Sequence, residues 1–80
     1  MSSLQKYVLA FVETFEIAES DLVGLSYQDI SAWDSVGHMA LMAELEEAFE
    51  VELDIDDIID FSSFEVGKEI MKKYGVEVVE

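Results

Sequence analysis

Ser35 is the residue of this chain whose type and position best fit covalent chemistry at a hydroxyl group. It follows Asp34, and an apolar and acidic run begins directly after it at Val36. This pattern predicts a helix that begins at Ser35, with the Asp34 carboxylate as its cap. A serine there is exposed, and the free N–H groups of a helix N-terminus tolerate a phosphate. The same Asp-Ser pair is also frequent as a plain helix cap, so the pair alone leaves both readings open.

The single histidine, His38, lies three residues after Ser35, so the two side chains can meet on one helix. A serine hydrolase also needs an orienting acid, an oxyanion hole and a substrate cleft, and a helical domain of 80 residues has little room for them. We therefore predict that the chain is not an enzyme and has no catalytic residue. His38 is expected at the edge of the core. The absence of cysteine excludes a protein thiol, so thioester chemistry would need a thiol from a cofactor.

Acidic residues dominate the charge of the chain. Nineteen acids face four lysines, which gives a formal net charge of -15. Such a charge argues against nucleic acids and anionic membranes as partners and favours basic proteins. Nine of the acids and no base fall between Glu44 and Asp60. The segment Asp54–Glu65 has some acids at the spacing of a calcium-binding loop, but Ile59 stands where that loop requires glycine, so we predict no metal site.

The elements that must position Ser35 are helical. Apolar residues recur at helical spacing in a chain without proline, which predicts one all-α domain, residues 1–80, with four helices. A capping box of Ser2 with Gln5, and another of Ser62 with Glu65, predict two of the helix starts. A long apolar loop is expected to pack on the domain, and residues 76–80 are expected to form a tail. The predicted helices are Ser3–Phe15, Ser35 to about Glu50, Ile55–Asp60, and Ser62 to about Tyr74.

The stretch Trp33-Asp34-Ser35-Val36 resembles the Asp-Ser-Leu element of acyl carrier proteins. The downstream Leu45-Glu46-Glu47-Ala48-Phe49 is similar to the Leu-Glu-Glu-x-Phe segment that closes the second helix in that family. The resemblance covers nearly the whole chain, since the order and lengths of the predicted helices also agree. It implies a four-helix bundle of the acyl-carrier type, with a long first loop and a short third helix.

The resemblance also implies a cofactor and partners. Ser35, beside Asp34, would carry a 4′-phosphopantetheine arm that a phosphopantetheinyl transferase takes from coenzyme A. The arm would hold acyl intermediates as thioesters between acyl-loading and acyl-receiving enzymes. In the family, partner enzymes bind to the second helix and recognise the carrier by it. Here its outward face carries an apolar strip among acids, and the predicted partner-binding residues are Val36, Met39, Ala43, Glu46 and Glu47.

Apolar residues of the later helices have two open interpretations. In the family an acyl chain can enter between the helices, so these side chains could line such a path, or they could simply form the core. The residues in question are Leu41, Met42, Leu45, Ile58, Ile59 and Phe64.

Three positions depart from the carriers of fatty-acid synthesis. Gly37 and Ala40 stand where those members often carry acids, and Trp33 replaces a small residue. These departures favour a stand-alone carrier of a specialised pathway, such as polyketide, modified-peptide, or surface-polysaccharide or lipid synthesis. We expect a cytoplasmic monomer without a membrane span. The alternative is a non-covalent, acidic helical module for protein interaction.

Overall fold

Four α-helices and one 3₁₀ turn form the regular structure of the chain, in a computed structural model that describes residues 1–80. The helices are α1 (Ser3–Phe15), α2 (Ser35–Phe49), α3 (Ile55–Asp60) and α4 (Phe64–Lys72), and the 3₁₀ turn is Glu19–Asp21. There is no strand, and one isolated antiparallel bridge joins Ser26 to Ser63. The predicted all-α class and the number of helices are confirmed. No helix is both long enough and apolar enough to cross a bilayer.

The starts of α1 and α2 follow the capping pattern of the sequence, whereas Asp54, which precedes α3, makes no side-chain capping hydrogen bond. The box of Ser2 with Gln5 opens α1, as predicted. Helix α4, however, begins at Phe64, and Ser63 rather than Ser62 is its cap, accepting a 3.0 Å hydrogen bond from the N–H of Val66. The predicted capping box of Ser62 was therefore wrong. Ser62 instead pairs with the long loop, since its carbonyl accepts from the N–H of Tyr27 at 2.9 Å.

Aromatic rings fill the centre of the core. The ring of Phe11 is fully buried and lies 5.0–6.2 Å from five other aromatic rings, most of them in edge-on contact. Each such pair stabilises the fold by about 0.5–1.5 kcal/mol beyond the burial of its area. The five partners of Phe11 are Tyr7, Phe15, Trp33, Phe61 and Phe64.

Gly67 in α4 leaves room for the side chains of Tyr7 and Phe61. A Cβ atom at Gly67 would lie 2.2 Å from the Tyr7 hydroxyl and 2.2 Å from the ring of Phe61. That hydroxyl donates a 2.7 Å hydrogen bond to the carbonyl of Phe64, which ties α1 to the first turn of α4. Burial strongly raises the pKa of Tyr7, and the nearby Glu65 carboxylate adds to the effect. Tyr7 is therefore neutral and acts as a hydrogen-bond donor inside the bundle.

The long loop between α1 and α2 packs on the domain, as its apolar residues predicted. Leu22, Leu25 and Trp33 are buried. The carbonyl of Leu25 accepts a 2.9 Å hydrogen bond from the N–H of Phe64. Together with the bond from Tyr27 to Ser62, this contact fastens the loop to the start of α4. The loop therefore enters α2 along a defined path.

The C-terminal residues contact the start of α1. The carbonyl of Val79 accepts a 3.1 Å hydrogen bond from the N–H of Leu4, and Ser3 Oγ accepts from the N–H of Val79 at 3.0 Å. Val76 and Val78 also pack against the core. Residues 76–80 therefore lie outside the helices, as predicted, but they are docked against the start of α1. The first N–H groups of a helix have no partner within the helix, and here the end of the chain supplies one.

Candidate functional site

Ser35 is exposed and is the first residue of α2. Asp34 precedes it as the cap, and its Oδ1 accepts a 2.8 Å hydrogen bond from the N–H of Gly37. The carbonyl of Asp34 accepts from the N–H of His38 at 2.7 Å. The N–H groups of Ser35 and Val36 have no intrahelical acceptor because they open the helix. The hydroxyl therefore stands at the positive end of α2, accessible from solvent.

Trp33 anchors the chain two residues before Ser35. Its indole ring is fully buried and stacks on Phe15, with the ring centroids 5.3 Å apart. The indole N–H donates a 2.9 Å hydrogen bond to Nδ1 of His38. An aromatic anchor with a satisfied N–H holds this end of the loop against the core. Trp33 thereby fixes where the backbone enters α2.

His38 joins α2 to α3 and forms no hydrogen bond with Ser35. Because an indole N–H can only donate, Nδ1 of His38 accepts from Trp33, and the ring hydrogen lies on Nε2. Nε2 donates to the carbonyl of Ile58 at 2.7 Å. Both ring nitrogens are therefore occupied, and neither is available as a base for Ser35. His38 is half-buried, at the edge of the core, as predicted.

Gly37 allows the loop to lie against the first turn of α2. A Cβ atom at this position would lie 1.9 Å from the carbonyl oxygen of Ala32 and 3.3 Å from the ring of Phe15. No side chain fits in that space. The absence of an acid at position 37 therefore has a steric cause in the path of the loop that carries Trp33.

An apolar groove of about 340 Å³ begins beside Ser35, which forms part of its wall. Three ring-bearing residues from different parts of the chain line it, Tyr27, His38 and Phe61. The rings of Tyr27 and His38 meet edge to face, with centroids 5.5 Å apart. The groove thus combines an exposed hydroxyl with an aromatic surface.

Aliphatic side chains complete the groove between α2 and α3. Met39 contributes from α2, Ile58 and Ile59 contribute from α3, and Ser62 also lines the groove. Of the residues proposed from the sequence to line an acyl path, only the two isoleucines are found here. Leu41, Met42 and Leu45 are buried in the core and line none of the clefts, and Phe64 lines a different one.

Three residues that line the groove were not predicted from the sequence to belong to the site, namely Tyr27, Phe61 and Ser62. Tyr27 belongs to the long loop, and its aromatic side chain in an apolar connection was the one available signal. Phe61 had the appearance of an ordinary core residue, and it is almost fully buried. The three reach the groove because the loop pairs with the segment before α4.

The outward face of α2 carries the partner-binding residues predicted from the sequence. Val36 is 77% exposed and Met39 is 54% exposed, and Ala43 and Glu47 are also exposed. Glu46 differs from these four, since it is half-buried and its Oε2 accepts a 2.8 Å hydrogen bond from the N–H of Leu53. The Glu46 carboxylate therefore has a structural contact at the end of α2.

Comparisons with known proteins return no relative. No protein-family model, no curated protein and no solved structure matches this chain.

The acidic surface beside the site is almost free of neutralising bases. Of the nine acids between Glu44 and Asp60, only Asp57 forms a salt bridge, with Lys73 at 2.7 Å. The hydrogen bond from Lys73, and a second from Tyr74, lower the pKa of Asp57. No group of three or more histidine, cysteine or acidic residues is placed to hold a metal ion. The field around α2 and α3 is therefore negative and attracts cationic surfaces.

Proposed function

We propose that this chain is an acyl carrier domain in which Ser35 holds a 4′-phosphopantetheine arm. One observation carries the proposal: an exposed serine opens α2 and also forms the wall of an apolar groove. The acyl group travels as a thioester on the arm, whose thiol replaces the cysteine that the chain lacks. The domain itself performs no catalysis.

The attachment step uses a partner enzyme for its chemistry. Ser35 Oγ attacks the phosphorus of coenzyme A that bears pantetheine, and a phosphodiester bond forms while the pyrophosphate bond breaks. Adenosine 3′,5′-bisphosphate leaves, and the serine proton passes to a base of the transferase. The unpaired N–H groups of Ser35 and Val36 and the dipole of α2 stabilise the new phosphodiester. Because both nitrogens of His38 are engaged, the chain supplies no base of its own.

The exposed face of α2 is the proposed contact for the loading and receiving enzymes. Its apolar strip, Val36, Met39 and Ala43, provides area for burial, and Glu47 provides charge beside it. Partner enzymes with a basic surface are attracted before contact, because few lysines screen the acids.

The start of α2 differs in two ways from that of the fatty-acid-synthesis carriers that the sequence resembles. Position 37 has no room for a side chain, and Trp33 is buried. These features support a specialised polyketide, peptide, or surface-polysaccharide or lipid pathway. Efficient fatty-acid elongation by the purified elongation enzymes on this carrier would contradict that assignment.

Modification of Ser35 tests the proposal directly. The purified chain is incubated with coenzyme A, Mg²⁺ and a broad-range phosphopantetheinyl transferase, and its intact mass is measured. We expect one phosphopantetheinyl group on the wild type and on Ser31→Ala, a matched control that removes an exposed serine four residues earlier. Ser35→Ala should gain none. No gain by the wild type, or an equal gain by Ser35→Ala, would defeat the proposal.

A non-covalent interaction module is the second candidate. It is favoured by four exposed apolar side chains on neighbouring helices, Val36, Met39, Ile55 and Ile59. Such a module would bind its partner equally well with Ser35→Ala, whereas a carrier would lose function. Binding that depends on Val36 and Met39 but is indifferent to position 35 would therefore favour the module.

A further inference from the structure

The bridge from Trp33 through His38 to Ile58 links α2 to α3 at the groove, since His38 and Ile58 both line it. Trp33 lies in the core, His38 lies at its edge, and the carbonyl of Ile58 belongs to α3. A ligand that entered between the two helices at this point would have to break both hydrogen bonds of the imidazole. It would also leave the buried indole N–H without an acceptor, which is costly in an apolar interior.

The interior behind this bridge has no space prepared for a ligand. Leu41 and Leu45 are fully buried, Met42 is almost so, and none of the three lines a cleft of the molecule. Close-packed cores resist the insertion of even a few methylene groups. The groove outside the bridge, by contrast, is open and begins at the side chain that would carry the arm.

From this geometry, and resting on the proposed function, we propose that the cargo is a compact aromatic acyl group held in the outer groove. His38 is then the residue that determines specificity, since it keeps long chains out of the core. A cavity of about 150 Å³ lined by apolar side chains holds one benzene ring. The groove, at about 340 Å³, therefore accommodates one ring together with the thioester end of the arm.

The aromatic character of the groove decides between a ring and a short straight chain. Tyr27, His38 and Phe61 present rings to it, and they already meet one another edge to face at 5.5 and 6.1 Å. A benzoyl-type ring can extend this arrangement at the separations that aromatic pairs prefer. Met39 adds a sulfur atom at the side, which also makes favourable contact with aromatic rings.

The four methionines of the chain make the test specific, since their methyl groups can be labelled with ¹³C. Met39 lines the groove, Met42 and Met71 are buried in the core, and Met1 is exposed and lies away from both. The protein is loaded by a phosphopantetheinyl transferase from coenzyme A, benzoyl-, hexanoyl- or tetradecanoyl-coenzyme A. Methyl spectra of the acyl forms are then compared with that of the unacylated arm-bearing form.

We expect the benzoyl group to move the Met39 signal by more than its linewidth and more than hexanoyl does. Met42 and Met71 should keep their positions with all three acyl groups, and the tetradecanoyl thioester should hydrolyse as fast as the free acyl-pantetheine. Movement of Met42 or Met71 with any chain, or an unmoved Met39 with benzoyl, would overturn the inference.

Variants of His38 test the bridge itself. His38→Ala removes both hydrogen bonds. In this variant the tetradecanoyl group should therefore move the methyl signal of Met42, whereas in the wild type the same acyl group should leave that signal unmoved. Should His38→Ala fail to fold, His38→Gln retains a donor and an acceptor and should keep Met42 unmoved if the bridge is what closes the interior. Attachment of the arm to Ser35 distinguishes failure of the proposed carrier function from failure of the proposed aromatic cargo. A chain that accepts no arm overturns both, whereas an arm-bearing chain that buries a long acyl group in its core overturns this inference alone.

Discussion

The indole N–H of Trp33 donates to Nδ1 of His38 across 2.9 Å, and this one bond spans the segment that contains Ser35. Trp33 lies two residues before the serine and His38 lies three residues after it. The loop side of the site and the helix side are therefore tied together directly. Because His38 continues the connection to Ile58, the position of Ser35 depends on α3 as well.

Loss of the indole N–H should destabilise the fold even when an aromatic ring is kept. Trp33→Phe leaves Nδ1 of His38 without a donor and leaves unfilled volume, so the free energy of unfolding should fall by about 1–3 kcal/mol. Urea denaturation followed by circular dichroism measures the change. Tyr27→Phe, which removes a hydroxyl at the groove, is the matched control and should change stability by less than about 0.5 kcal/mol. Equal stability of Trp33→Phe and wild type would show that the hydrogen bond contributes nothing.

A glycine in a helix interior normally costs stability, but Gly37 should behave in the opposite way. Gly37→Ala places a methyl group 1.9 Å from the carbonyl oxygen of Ala32, so we expect a loss of about 1–3 kcal/mol. Ala40→Gly on the exposed side of α2 is the control, and it should lose about 1 kcal/mol by the ordinary helix propensity. Thermal unfolding of both variants shows whether each substitution raises or lowers the stability of the fold. A Gly37→Ala protein more stable than wild type would mean that the loop moves away at little cost.

The contact of Asp57 with Lys73 and Tyr74 should produce a defined pH dependence. Its hydrogen bonds lower the pKa of Asp57, and the same contact raises the pKa of Lys73. The contribution of the pair is therefore complete above the ordinary aspartate pKa of about 3.9 and is lost as the pH falls through the lower folded value. At the alkaline end it is lost as the pH rises through a lysine pKa above the usual value of about 10.4.

Lys73→Met measures that contribution. The stability difference between wild type and Lys73→Met should be largest between about pH 5 and pH 10 and should shrink at both extremes. Lys72→Met is the control, because Lys72 forms only an exposed pair with Glu69 and should show little difference at any pH. Urea midpoints taken across the pH range provide the comparison. A difference that stays constant with pH would assign the effect of Lys73 to packing alone.

The contact between the two ends of the chain should be visible in amide exchange. Ser3→Ala removes the Oγ that accepts from the N–H of Val79, and we expect a loss of about 0.5–1.5 kcal/mol. The amides of Leu4 and Val79 should exchange faster with solvent. The exchange rates of amides within α2 should rise only as much as the loss in the free energy of unfolding predicts. Ser31→Ala serves as the control on an exposed serine. Unchanged exchange at Leu4 in Ser3→Ala would contradict the contact.

Much of the local structure could be predicted from the sequence because its causes lie within a few residues. The bounds of α1, and the start of α2 at Ser35, depend on apolar periodicity and on capping side chains that lie three residues from the N–H groups they accept from. The start of α4 was mispredicted for a tertiary reason. Ser62 could have capped a helix, but its backbone is paired with the distant loop at Tyr27.

The exposed serine at a helix start, the acidic charge and the helical class were thus determined by the sequence itself, since neighbouring residues and composition are enough to produce them. Tertiary structure alone decided the groove, the bridge through His38, the steric demand at Gly37 and the docking of the C-terminus. These depend on residues far apart in the chain, 20 positions for His38 and Ile58 and 76 for Ser3 and Val79. Packing of the whole core brings such pairs together, and no local pattern encodes their distance.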